Sequence, residues 1–377
     1  MDTYLLGALD DLEARIRHLK GQVRPAPGRS NATLVRTCRD RLDRAAETAR
    51  WLREGSEWRK AENAPVRFRE FRALVGDLDE LENVAVQVLV RWNDQDARAN
   101  ELVERIAQEI EYPLAAPVVA CQSREYYRIF PDLGLMLIPP AEGAFLLHLP
   151  DLYHELGHPL LTEFNDPKIE PLQKAFVALW MEAQSRIEEE RDREEMRRLS
   201  PQAFRYYLDG WERSWRSWLT EFVCDVFATH TVGAAYAWAH LHLTAKRGSD
   251  PFHVPLGGTS SHPADAARME TILEVLRSSG WTAEARAIAA EWTSMLRVGG
   301  YATTPEYNRC FPRTLINSIA ASASRAISQI GCPAADRAFL KPVANTLNAA
   351  WNEFWGDPKQ YTTWQTQNVG SLGLIGV

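Results

Sequence analysis

His154-Glu155-Leu156-Gly157-His158 is the run in this chain whose residue types and spacing suit catalysis. On a helix, positions i and i+4 share one face a turn apart, so both imidazoles reach a single cation. Glu155, beside the first histidine, can point at a water held by that cation. Zinc suits the set, because it lowers the pKa of its water and polarises a carbonyl while a carboxylate takes the proton. The bland alternative is a surface helix on which two histidines happen to align. Tyr153, Leu156, Leu160 and Leu161 argue against it, since polar groups in such apolar company need a partner. Pro159 directly follows His158. Proline pushes its predecessor away from helical geometry, so the helix is expected to end or kink at the second histidine.

Catalytic zinc takes three protein ligands and keeps one position for water. Downstream, Glu221 and Asp225 stand four residues apart in WLTEFVCDVF, a helical stretch otherwise nearly all apolar. Carboxylates are rarely buried there without a partner. Glu221 as third ligand and Asp225 as acceptor for a ligand imidazole would satisfy both. A helix cap or a surface pair is the plain alternative. Cys224 is a rival donor, read here as a core residue facing partly away.

The pattern His154-Glu155-x-x-His158 followed by Glu221-x-x-x-Asp225 resembles the gluzincin metallopeptidases, the thermolysin-like clan. The resemblance implies Glu221 as third ligand, Asp225 as orienting residue, and an upstream strand, here 133–139, that pairs by its edge with an extended substrate. The segment Ser261-His262-Pro263-Ala264-Asp265-Ala266-Ala267-Arg268 is similar to the His-Pro…Arg element of the CAAX-prenyl-endopeptidase and heat-shock HtpX-like peptidases. That likeness places His262 at the oxyanion and Arg268 beside an active-site carboxylate. Pro263 suits the first position of the following helix, which would leave His262 just outside it. His253, Tyr206 and Tyr207 are alternative oxyanion donors. The resemblance covers roughly residues 120–280 and departs from the membrane-bound relatives in lacking membrane-spanning segments.

The elements that must carry these residues are mostly helices. Residues 1–112 read as a helical bundle of three or four helices, with apolar positions recurring at three and four, as in Leu102, Ile106 and Ile110. No heptad persists, which excludes a long coiled coil. PVVAC, YYRIF and LGLMLI then read as short strands between prolines and glycines. Helices are expected over 170–199, 212–230 and 264–279, with a loop over 245–262. Glu189 with Arg193 and Glu194 with Arg198 are spaced to pair on a solvated helix end. The C-terminal region reads as helices broken by Pro305, Pro312 and Pro333, ending in a mobile tail. The expected fold is mainly α with a small β-sheet (α+β). It comprises an N-terminal bundle over 1–112, a zincin-like catalytic core over 113–280 and a C-terminal helical region over 281–377.

Composition bounds the partners. The 377 residues carry a net charge of -7 and no basic stripe interleaved with aromatics, so neither nucleic acid nor an anionic membrane is expected. No stretch reaches the ~20 apolar residues of a membrane span, and the acids near the N-terminus do not fit a signal peptide. Five widely spaced cysteines suit a reducing compartment, so a cytoplasmic location is expected. Together these features point to a zinc-dependent endopeptidase acting on a protein or peptide substrate, with one zinc per chain. Two alternatives stand beside it: an inactive metal-binding or interaction protein, and a zinc hydrolase of non-peptide amides. Metal holding alone does not require Glu155, which favours the enzyme readings. The first 112 residues are read as covering the cleft, recognising a substrate or docking a sensor, a choice the sequence leaves open.

Overall fold

Leu5, Leu9, Leu12, Ile16 and Leu19 recur at three and four, and in the computed structural model they line one buried face of helix α1 (Asp2–Gln22). The structure describes residues 2–26, 30–124, 126–141, 145–162, 166–197, 201–255 and 258–374, and for 2, 59, 194–197 and 201–207 the backbone alone. Helix α2 (Ala32–Glu54) turns Leu34, Cys38, Leu42, Ala49 and Leu52 to the same core, and α3 (Ala64–Leu81) adds Phe71, Leu74 and Leu78. A π turn over Glu82–Val86 continues α3 into the short α4 (Gln87–Val90). After α5 (Asp94–Glu109) come three strands, β1 (Val118–Ala120), β2 (Arg128–Phe130) and β3 (Leu135–Leu137). They lie where the apolar runs place them.

The sheet has the order β1-β3-β2, with β1 parallel and β2 antiparallel to β3. This corrects the expectation that 133–139 offers a free edge to substrate. Met136 pairs with Val119 on one side and Ile129 on the other, so both edges of β3 are already hydrogen-bonded. Buried side chains of α5 hold β1: Asn100 donates to the Val119 carbonyl at 2.7 Å and accepts from its N–H at 2.9 Å. Asp96 accepts the Cys121 N–H at 2.6 Å.

The second half is helical. It runs α6 (Asp151–Gly157), α7 (Pro159–Thr162), α8 (Glu170–Arg197), α9 (Pro201–Val232), α10 (Ala234–Arg247), α11 (Asp265–Ser278) and α12 (Thr282–Gly299). It continues through α13 (Pro305–Cys310), α14 (Arg313–Gln329), α15 (Pro342–Gly356) and α16 (Tyr361–Asn368). The chain divides into two compact units, Met1–Leu102 with Pro117–Pro140, and Val103–Ala116 with Ala141–Val377. The segment 113–280 is thus shared, its strands in the first unit and the His-Glu motif in the second. Within the second unit α9 is central, packed by α6, α8, α11 and α14. From Glu221 to its end it is buried on every face, the mark of a core helix rather than an amphipathic surface one.

Several boundaries differ from the sequence reading. Helix α9 begins eleven residues before the expected 212, because the aromatic-rich stretch PQAFRYYLDGW preceding it is also helical. Helix α11 starts at Asp265 with Ala264 as its cap, so Pro263 precedes the helix instead of opening it. The described part of the expected tail is the end of α16 and a 3-10 turn over Val369–Leu372, with Val369 and Leu372 buried, and residues 375–377 lie outside the described residues. Glu189 pairs with Arg193 at 3.3 Å as its spacing suggests, whereas the Glu194 and Arg198 pair lies outside the described residues. Among the described residues no helix is long and apolar enough to cross a membrane.

Candidate metal centre

All of α6 is buried, including Asp151, His154 and Glu155, and it lies against α9. Gly157 permits the close approach. A Cβ there would meet the Cys224 Sγ at 2.9 Å and its Cα at 3.0 Å, so only glycine lets the two backbones come this near. His158 keeps right-handed helical dihedrals, φ -60° and ψ -46°, despite the proline that follows. Its N–H bonds the Glu155 carbonyl at 3.3 Å and its carbonyl takes the Leu161 N–H at 3.0 Å. The proline therefore splits one helix into α6 and α7 without swinging the second histidine away. The two imidazoles stand with ring centroids 5.1 Å apart.

Donor atoms of His154, His158 and Cys224 lie within 4.8 Å of one another, a group able to hold one metal ion. The reading of Cys224 as a core residue outside the site is corrected in this respect: it is fully buried, and its sulfur belongs to the donor group. Glu221 reaches the same place from α9. Its Oε2 is 3.3 Å from His154 Nε2 and its Oε1 is 3.9 Å from His158 Nε2. Zinc bonds of ~2.0–2.1 Å in a tetrahedron set neighbouring donors ~3.3 Å apart. The nitrogen, oxygen and sulfur atoms here fit such an ion.

On the other side of the His154 ring, Nδ1 is 3.0 Å from Asp225 Oδ1 and 2.9 Å from the Tyr236 hydroxyl. Asp225 is fully buried and takes both arms of Arg268, from Nε at 2.8 Å and Nη2 at 2.6 Å. Arg268 is itself buried, and the carboxylate it pairs with is Asp225. Tyr236 was not legible as a site residue. It arrives because Gly233, at φ +78°, turns the chain from α9 into α10 beneath the Trp281 ring, which a Cβ would strike at 2.5 Å.

His262 comes within 3.8 Å of Glu221 Oε2 through Nε2, with its side chain 57% exposed and Nδ1 bonded to Ser261 Oγ at 2.8 Å. His253 is exposed in the loop ahead of α11, with no contact to the motif among the described residues. The side chains of Tyr206 and Tyr207 lie outside the described residues.

The electrostatics suit a cation. Burial disfavours charge on His154, but Asp225 and Glu221 on its two sides outweigh it and raise its pKa to about 10. Burial lowers His158 to about 4, helped by the neighbouring His154 charge. Burial works against Glu221 as well, yet His154 and Arg268 hold its carboxyl down at about 2. The Arg268 guanidinium outweighs burial at Asp225 and keeps it ionised. Glu155 goes the other way, raised by burial to about 7. Two carboxylates are thus held ionised around a spot where a metal cation can replace a proton, beside a third that titrates near neutrality.

This arrangement matches the zincin type of site, in the pattern of the CAAX-prenyl-endopeptidase and HtpX-like peptidases, with added helices and no membrane-spanning helix among the described residues. Comparisons with family models, with curated proteins and with solved structures return no match.

Proposed function

We propose that this chain is a zinc-dependent endopeptidase that hydrolyses peptide bonds in a protein substrate, with His154, His158 and Glu221 holding one zinc and Glu155 as general base. The observation that carries this reading is Glu155. It is buried beside the donor group, and burial brings its pKa to about 7, where a carboxylate both accepts and returns a proton. A zinc ion among these donors supplies an acidified water and a polarised carbonyl. Glu155 takes the water proton on its carboxylate and passes it to the leaving amine. His262, half-exposed and 3.8 Å from Glu221, can turn an N–H toward the developing oxyanion. Asp225 and Arg268 form a buried ion pair that braces His154.

Glu221 is preferred to Cys224 as third ligand. The Cys224 thiol would have to give up its proton to the metal, and burial together with Glu221, Asp225 and Glu155 raises its pKa. The Glu221 carboxylate is already ionised and faces Nε2 of both histidines. All five cysteines are buried and unpaired, which supports a reducing, cytoplasmic location.

Metal analysis after dialysis, beside digestion of a peptide library, tests the proposal. Wild type should hold one zinc and cleave. Glu155→Gln should keep the zinc and lose about a hundredfold or more in turnover, ~3 kcal/mol. Glu221→Ala should lose the metal and Cys224→Ser should retain it. Zinc retained in both His158→Ala and Glu221→Ala, or wild-type cleavage by Glu155→Gln, would refute the reading.

A further inference from the structure

Two oxygens approach His154 Nδ1, and they are not equivalent. The Tyr236 hydroxyl, at 2.9 Å, is in hydrogen-bonding geometry. Asp225 Oδ1 lies at 3.0 Å as an ion-pair contact. Asp225 is also committed elsewhere, because its two oxygens take the Arg268 donors and Oδ1 further accepts the Tyr236 proton at 2.5 Å. From these contacts we infer that Tyr236 is the positioning residue that fixes the orientation and tautomer of His154, with Asp225 acting through it.

The proton bookkeeping leaves one arrangement. A phenol has a single proton and otherwise accepts. That proton goes to the ionised carboxylate, the stronger acceptor. The phenol oxygen is then left to accept, from His154 Nδ1 and from Arg268 Nη2 at 3.3 Å. Nδ1 must therefore carry the hydrogen of the neutral ring. The lone pair falls on Nε2, the atom that faces Glu221. The opposite tautomer would aim an N–H at the ion. Tyr236 also lies nearly parallel to the His154 ring, 15° between planes, which limits rotation of the imidazole. At 1% exposure, no solvent replaces its hydroxyl.

This inference rests on His154 being a metal ligand, and the experiment separates the two. Zinc affinity is measured by competition with a chromophoric chelator for wild type, Tyr236→Phe, Asp225→Asn and the double variant. Cobalt(II) spectra and metal-free melting temperatures are recorded alongside. Tyr236→Phe keeps the ring but should bind zinc about 10–100-fold more weakly, with shifted cobalt bands. The double variant should bind no more weakly than the poorer single one, because both groups lie on one chain of bonds. Unchanged affinity and cobalt spectrum in Tyr236→Phe would overturn the inference while leaving the metal site standing, and so would additive losses. A wild type that binds no zinc would remove the metal reading and the inference with it. Should Tyr236→Phe fail to fold, 3,5-difluorotyrosine at 236 keeps the ring and hydroxyl but makes the oxygen a poorer acceptor. Weaker zinc binding is again expected there, and unchanged binding overturns the assignment.

Discussion

Replacing Gly157 by alanine sets two effects of opposite sign against each other. In a helix the change should gain about 0.8–1.0 kcal/mol from propensity. The new methyl would stand 3.0 Å from the Cys224 Cα, where ordinary contact begins at 3.4 Å and extends to 4 Å. The Cα is backbone and cannot rotate aside, so α6 and α9 must part by about 0.4–1.0 Å, the difference between those distances. Overpacking of this kind costs about 1–3 kcal/mol. The net change in stability is therefore a loss of about 0–2 kcal/mol. The metal should feel it more. His154 rides on α6 and Glu221 on α9, and metal–ligand distances tolerate only ~0.2 Å. Zinc affinity should fall at least about tenfold, read by chelator competition, while melting shifts little. Gly76 is the control. It is exposed within α3, nothing lies within 4 Å of its would-be Cβ, and Gly76→Ala should stabilise by about 0.8–1.0 kcal/mol. If Gly157→Ala stabilises like the control and binds zinc like wild type, the close-approach argument is wrong.

Three further outcomes are expected. Arg268→Ala leaves the Asp225 carboxylate buried without its guanidinium, so denaturant unfolding should show a loss of up to about 3–5 kcal/mol; a loss under 1 would mean the ion pair is not structural. His262→Ala should keep zinc and stability while kcat falls by about 2.7–4 kcal/mol with KM little changed, and a near-normal kcat would take the oxyanion role from it. His230 is buried with its pKa lowered by burial, against a carbonyl contact from Cys332 that opposes the shift. Its neutral form is favoured on folding, so its contribution is complete above its unfolded pKa of ~6.5 and is lost as pH falls below that value. Metal-free His230→Gln should accordingly show a shallower fall in melting temperature between about pH 7.5 and 5 than wild type, and parallel curves would discard the assignment.

The candidate site was legible where it depends on spacing along one helix. His154 and His158 share a face, Glu221 and Asp225 share another, and the structure brings the two faces together at 3.3 Å. What spacing cannot show is which strands pair. LGLMLI reads correctly as a strand, but its place between β1 and β2 is decided by long-range pairing, so the edge expected for substrate does not exist. Tyr236 was missed because AAYAWAH reads as plain core. A signal was present, since a tyrosine in a wholly apolar run must satisfy its hydroxyl, and unpaired candidates were near in Asp225 and His154. Cys224 was misjudged as facing partly away, although three residues on from Glu221 it lies on a neighbouring side of α9, and Gly157 removes the side chain that would have kept it at a distance.

Helix α9 carries Glu221 and Asp225 on a segment enclosed on every side by its own unit. Their neighbouring amides should exchange with deuterium only when the whole unit melts, at rates set by its global unfolding. Metal occupancy and wholesale melting are then tied together. An ion bound at Glu221 slows exchange across distant helices of the unit, and a destabilising change far from the motif loosens the ion.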